Sequence, residues 1–283
     1  ARNRANSRVP NCSDSPSRTL KRMKEELREL YRYRDLFFTI AGRDIKVRYK
    51  QSLMGFLWAI LMPTLIVGAG IIVRYGFALA SGKHVHSTDV ASVAVKSVPW
   101  AFLVSSIRFS CLSLTSNVTL VTKIYFPKEI FPLAAVLACL FDFAVASAAL
   151  VLLLFFLKIG WSIYLLCLPI LIMTLVLLAA GIGMIVSAGS LFFRDVKYIV
   201  EAVLTFAIFF TPVFYDAQMF GAKGQWLMLN PAAPILEGIS TCVTRQQCPD
   251  LSWLAYSVAF SLIAFMAGYV FFKHLEPAFA ESV

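Results

Sequence analysis

Charge is scarce in this 283-residue chain: Asp, Glu, Lys and Arg make up 15% of it, and apolar residues 59%. A soluble domain carries about 25% charged residues, so an ordinary soluble fold is excluded and the surplus apolar surface must face lipid. Histidine is scarcer still, with three residues, all outside the long apolar runs. No H-E-x-x-H zinc motif occurs, and no Ser–His pair lies within an apolar run. His84 and His86 have no further ligands beside them and read as solvated, so no metal site is expected. A G-x-x-x-x-G-K-[ST] loop is also missing, which leaves the chain without a nucleotide site and without enzyme chemistry of its own. The first 50 residues hold no apolar core of the kind a cleavable signal needs. The six cysteines make no disulfide framework: Cys111, Cys139 and Cys167 sit in apolar runs as small packing residues. Cys242 and Cys248 share one polar loop, where a local disulfide on an oxidising side and two free thiols are both open.

What is present is a basic segment that runs straight into hydrocarbon-like sequence. Arg43, Lys46, Arg48 and Lys50 precede an uncharged run over 53–73, about the 20 residues an α-helix needs to cross a bilayer. Fourteen of the 26 Lys and Arg residues lie at or before Lys50. That distribution suits a cytoplasmic surface facing anionic lipid, not nucleic acid. Residues 1–19, rich in Arg, Asn and Ser, read as a disordered tail. From Leu20 to Ile45, apolar residues recur every three or four positions among cations, the pattern of an amphipathic helix in the membrane interface, here taken with its flank as 20–52. A helix packed on a soluble partner is the alternative.

The expected fold is an all-α integral membrane protein of six spans, at about 53–73, 98–118, 133–157, 162–190, 198–212 and 251–272. Together they form a transmembrane domain over 53–273, followed by a short tail at 274–283. Pro63 predicts a kink in the first span, Arg74 reaches the outer headgroups, and 81–96 is an external loop. The second span is the most polar, with Ser105, Ser106, Arg108, Ser110, Ser113 and Thr115, so it belongs in the protein interior or beside water. The long external segment over 214–250 is too apolar for a plain loop and predicts short re-entrant helices. With both termini inside, nineteen cations fall on internal segments, which satisfies the positive-inside rule.

Three ionisable residues lie in or near spans: Arg108, Asp142 and Glu201. A charge at bilayer depth is costly, so it pairs or meets water. The expected intramembrane pair is Arg108 with Asp142. A proton relay needs a chain of carboxylates, and only one is placed deep. Among the aromatics, Phe206, Phe209, Phe210 and Phe214 share or adjoin one helical face, Tyr215 follows, and Trp58 lies early in the first span. Such rings suit a path for a saccharide, whose C–H faces stack on aromatic surfaces. Rings that face lipid or pack between helices are the plainer alternative.

At this point an ordered set of segments resembles a known family. It comprises Arg43-Asp44-Ile45-Lys46-Val47-Arg48-Tyr49-Lys50 with Gly55, Trp58 and Pro63; Pro99-Trp100; the stretch 117–133; and Asp142. It continues with Phe193-Arg194-Asp195, Thr211-Pro212-Val213-Phe214-Tyr215, Leu229-Asn230-Pro231 and Glu276-Pro277-Ala278-Phe279-Ala280-Glu281. The chain is similar to the permease subunits of ABC-2 type exporters for O-antigen, teichoic acid and related polysaccharides. The resemblance implies a homodimer in a bacterial inner or plasma membrane with both termini cytoplasmic. It implies separate ATP-binding cassette subunits that hold ATP and Mg, no cofactor on this chain, and a lipid-linked polysaccharide as cargo. It further implies that Lys123, Tyr125, Phe126, Pro127, Lys128 and Glu129 form a coupling helix seated on the ATPase. The N-terminal helix would gate the cytoplasmic mouth, with Arg43, Arg48 and Lys50 drawn either to a glycan pyrophosphate or to ordinary lipid phosphate. The family often has an Arg near the position of Ser240; this chain departs there, with Glu237-Gly238-Ile239-Ser240 followed by the Cys242 to Cys248 loop. Export of a smaller lipid or drug, a membrane-embedded glycan enzyme and a membrane scaffold are the rival readings.

Overall fold

A backbone surrounded by hydrocarbon must satisfy its N–H and C=O groups within itself, so long apolar runs become helices. A computed structural model describes residues 32–50, 57–81, 87–123, 126–160 and 162–280. The basic tail, most of the expected amphipathic segment before Arg34, both loop histidines and Tyr125 lie outside the described residues. Among the described residues the fold is all-α.

Helix α1 spans Arg34–Lys50, α2 Leu57–Ser81, α3 Ser87–Ser113, α4 Val118–Lys123 and α5 Ile130–Phe156. Then come α6 Leu168–Phe192, α7 Val196–Phe210, α8 Gly224–Met228, α9 Ala232–Ser240 and α10 Leu251–Leu275, with short 3₁₀ turns and one π-helical turn, Thr241–Arg245, between and after them. Among the described residues, five helical segments are long and apolar enough to cross a membrane: Leu57–Leu79, Thr88–Ser113, Ile130–Phe156, Ile163–Phe192 and Leu251–Phe279. The remaining expected span, the fifth at about 198–212, is helix α7, whose 15 residues rise only about 22 Å, short of a hydrocarbon core of about 30 Å. It stops because Thr211 turns extended ahead of Pro212, a residue that has no N–H to continue the ladder.

Helix α3 is the axis of the bundle. In its apolar window 78% of residues are buried, against 17–39% in the other four. It packs on α2, α5, α6, α7 and α9. Two of its hydroxyls meet neighbouring helices: Ser113 lies 3.0 Å from Ser187, and Ser110 donates to the Pro132 carbonyl at 3.1 Å. The expected loop over 81–96 is corrected, because α3 already begins at Ser87. Its first polar residues, Asp89, Ser92 and Lys96, are bonded inside the protein, so they do not end the helix.

Helices α6 and α10 make the most extensive pairing, and glycine permits it. A Cβ added at Gly268 would stand 2.3 Å from the Gly181 carbonyl oxygen, so the two backbones touch. Two apolar cores result. One surrounds Trp100, Phe102, Leu171, Leu175, Ile235 and Leu236. The other gathers Ile40 and Ala41 of α1 with Leu114, Phe126, Phe131, Met184, Phe272 and Phe279 at the opposite end.

Candidate functional site

Helices α2 and α7 both lean on α3 but leave a gap between them. It forms a half-open cavity of about 520 Å³, floored by α1 and walled by α3 and α5. Arg48, Tyr49, Trp58, Phe109, Arg108, Ser105, Asp142 and Thr205 line it, so aromatic, apolar and charged groups share one wall.

The expected Arg108–Asp142 pair does not form. Asp142 accepts from Arg48 Nη1 at 2.6 Å and from the Tyr49 hydroxyl. The Arg48 guanidinium also stacks on Phe109 at 3.7 Å. Both partners arrive from the end of α1, which packs on α5 and claims the carboxylate first. Arg108 instead grips Glu201 of α7 bidentately, Nε to Oε2 at 2.8 Å and Nη2 to Oε1 at 2.6 Å. These side chains remain 44% and 51% exposed. Arg48 is therefore committed to protein and not free for phosphate; Arg43 pairs with its neighbour Asp44 at 2.8 Å, and Lys50 is exposed.

The aromatic set divides. Trp58 borders the cavity, while Phe206, Phe209 and Phe210 stand on the outer face of α7, more than 60% exposed. Phe214 is corrected to a core residue. Past Thr211 the chain leaves its helical phase, Val213 and Phe214 become buried, and the Phe214 ring reaches Gly70, which has no Cβ to block it. Tyr215 donates its hydroxyl to the Phe209 carbonyl at 2.7 Å.

At the end where α2 stops and α3 starts lies a buried ionic network. Lys96, fully buried, reaches Asp216 at 2.5 Å, Glu237 at 3.2 Å and the Tyr215 carbonyl at 2.9 Å. Arg74 bridges Asp89 and Asp216, the latter at 2.9 Å, and is buried instead of reaching headgroups as expected. Burial alone would lift the Asp216 carboxyl, but Lys96 and Arg74 override it and hold the group well below the usual carboxylate range. Ser92 links Asp216 to Ser240, so α2, α3, α9 and the turn segment after α7 are tied at one point. Sequence reading missed this site. Its signal was present in cations embedded among apolar neighbours, Val73-Arg74 and Val95-Lys96, and in the carboxylate that ends Val213-Phe214-Tyr215-Asp216.

At the opposite end, the loop expected to present a docking face is folded inward. Phe126, Pro127 and Glu129 are buried, Lys128 is half-buried, and the ring of Phe126 packs on Phe131 at 5.5 Å. Glu129 binds Lys273 of α10 at 2.9 Å, so its carboxylate is taken up inside the protein. The exposed polar groups beside it are Thr119 and Thr122 of α4 and the turn residues Arg194 and Asp195. Of the two states left open for Cys242 and Cys248, the structure has the free thiols, Cys242 buried and Cys248 exposed. Burial, with Cys167 and Cys248 nearby, pushes the Cys242 thiol up to about 11.

No family model matches the chain. It is similar to the O-antigen export system permease protein RfbA of Myxococcus xanthus, 28% identical over 261 residues that cover 91% of this chain and 98% of that protein. Two proteins of the same description from Klebsiella pneumoniae are 28% and 29% identical over 222 and 217 residues, 76% of this chain and 81% of each. With its five membrane-capable helices, the chain is a multi-pass membrane protein similar along most of its length to the permease proteins of O-antigen export systems.

Proposed function

We propose that this chain is the permease subunit of an ATP-driven exporter that moves a lipid-linked polysaccharide outward across a bacterial inner membrane. Two copies form the conduit, and separate ATP-binding subunits supply the energy. The observation that carries this reading is the exposed Arg108–Glu201 pair beside the α2–α7 cavity. Each charge at bilayer depth costs about 3 kcal/mol against lipid, so this face belongs to a second copy or to a watery path. Phe206, Phe209 and Phe210 flank the same helix and supply flat rings on which sugar C–H faces slide. The relatives' description as O-antigen export permeases supports the substrate class.

In this reading α7 and the turn residues that follow it to Asp216 together make the fifth of six crossings. Helix α7 starts three residues after α6 ends, and Asp216 reaches Arg74 and Lys96 at the far end of the bundle. Both termini are then cytoplasmic, the ionic network lies at the outer exit, and the 126–129 loop lies at the inner face beside the ATPase. Deleting the gene and analysing the glycan tests the proposal. Bare cells holding lipid-linked polymer inside are the expected result; undiminished surface glycan in a strain with no second exporter refutes it.

A further inference from the structure

An ATPase that pushes on the 126–129 loop moves α5 directly, because Ile130 continues the chain into that helix. Helix α10 is remote in sequence and moves with the loop only if something fastens the two together. The structure holds such a fastening. Glu129, 1% exposed, receives the Lys273 ammonium on both oxygens, at 2.9 and 3.0 Å. The same ammonium lies 2.9 Å from Glu276, whose other oxygen accepts the backbone N–H of Lys128 at 3.2 Å. One turn on, Phe279 is fully buried against Phe272 and Phe192, with the Lys128 ammonium 5.6 Å above its ring. Apolar contacts alone would hold the loop at rest yet let it slide, since dispersion has no preferred direction. A buried, two-oxygen ion pair does not slide, because separation strands a carboxylate out of water. Beyond the tie, α10 meets α6 backbone to backbone at Gly268 and Gly181, which leaves little slack.

We propose that Glu129, Lys273 and Glu276 are positioning residues that lock the loop to α10, so that one stroke of the motor displaces α5 and α10 together and α6 with them. The inference rests on the export reading above. Its consequence is that the loop and the end of α10 stay together throughout the cycle, and that a permanent link can replace the ion pair.

The test uses the full chain with its native cysteines replaced, co-expressed with its ATP-binding subunit and carrying Glu129→Cys and Lys273→Cys. The double variant is expected to assemble and hydrolyse ATP while surface polysaccharide falls about ten-fold, within the usual scale of coupling between sites. Joining the two thiols with a short bifunctional reagent is expected to restore export to within about two-fold of the parent. Unchanged export before joining, or lost export after it, overturns the proposal. If the double variant does not assemble, Lys273→Gln decides: hydrolysis with little export supports the tie, and parental export refutes it. A cysteine-free parent that recruits no ATPase and exports nothing counts instead against the export reading itself.

Discussion

Replacing Asp216 by Asn removes the one carboxylate that faces both Lys96 and Arg74 while keeping its shape. The full cost of breaking a buried ion pair is about 3–5 kcal/mol. Here each cation keeps a second partner, Glu237 at 3.2 Å for Lys96 and Asp89 for Arg74, so the lower end, about 3 kcal/mol, applies. For a chain of this size that lowers Tm by about 6–10 °C, measurable by thermal unfolding of the purified protein in detergent. The carboxyl is depressed in the folded state, so its stabilisation is complete above the unfolded pKa of about 3.9 and fades only as pH falls toward the folded value. The gap between parent and variant is therefore expected to stay constant from about pH 8 to about pH 5. Adding Lys96→Met removes the cation that the first change left with a weaker set of partners, leaving Arg74 with Asp89 and Glu237 with the Ala217 N–H at 2.8 Å. The double variant should recover at least half of the lost stability. A Tm for Asp216→Asn within about 1 °C of the parent, or simple additivity in the double variant, would refute the reasoning.

Gly268→Ala forces a methyl against the Gly181 carbonyl and should cost about 3 kcal/mol by thermal unfolding, whereas Gly76→Ala, with nothing within 4 Å, should gain about 0.5–1 kcal/mol. Reversing the exposed pair as Arg108→Glu with Glu201→Arg should keep export near parental levels, while either single change lowers it several-fold; surface glycan quantification reads both. Phe126→Ala should destabilise by about 3–5 kcal/mol because the ring is buried, whereas Lys128→Ala should leave Tm within about 3 °C of the parent. At pH 7.5 a maleimide should label Cys248 rapidly and Cys242 slowly, since a thiol with a pKa of about 11 is almost wholly protonated; equal rates would contradict the burial of Cys242.

Helices α5, α6 and α10 were legible to within about six residues, because each is a long, predominantly apolar run whose ends are marked by Lys, Pro or Asp. The start of α3 was not. Asp89, Ser92 and Lys96 have loop polarity, and only their partners on α2, α9 and the segment after α7 keep them helical. Helix α7 was found in place, but its phase was carried too far. The aromatic face was extended through Phe214, although Pro212 and the extended Thr211 rotate that ring inward. The polarity of α3 pointed correctly to an interior helix, since hydroxyls at that spacing need protein partners wherever water is absent.

The bilayer constrains a chain so strongly that run length and charge distribution were enough to establish the class and the helical character, because lipid leaves the backbone few other ways to satisfy its hydrogen bonds. Which charge meets which was decided only in three dimensions. Arg48, Arg108, Asp142 and Glu201 have the same valences in any order, and the arrival of the α1 end at α5 assigned Asp142 to Arg48 and left Arg108 for Glu201. The same holds for the 126–129 loop: its composition does not say what Glu129 meets, and the position of Lys273 on a helix 144 residues away fastened it to α10. Pairing depends on distance between remote segments, a quantity that local composition does not encode.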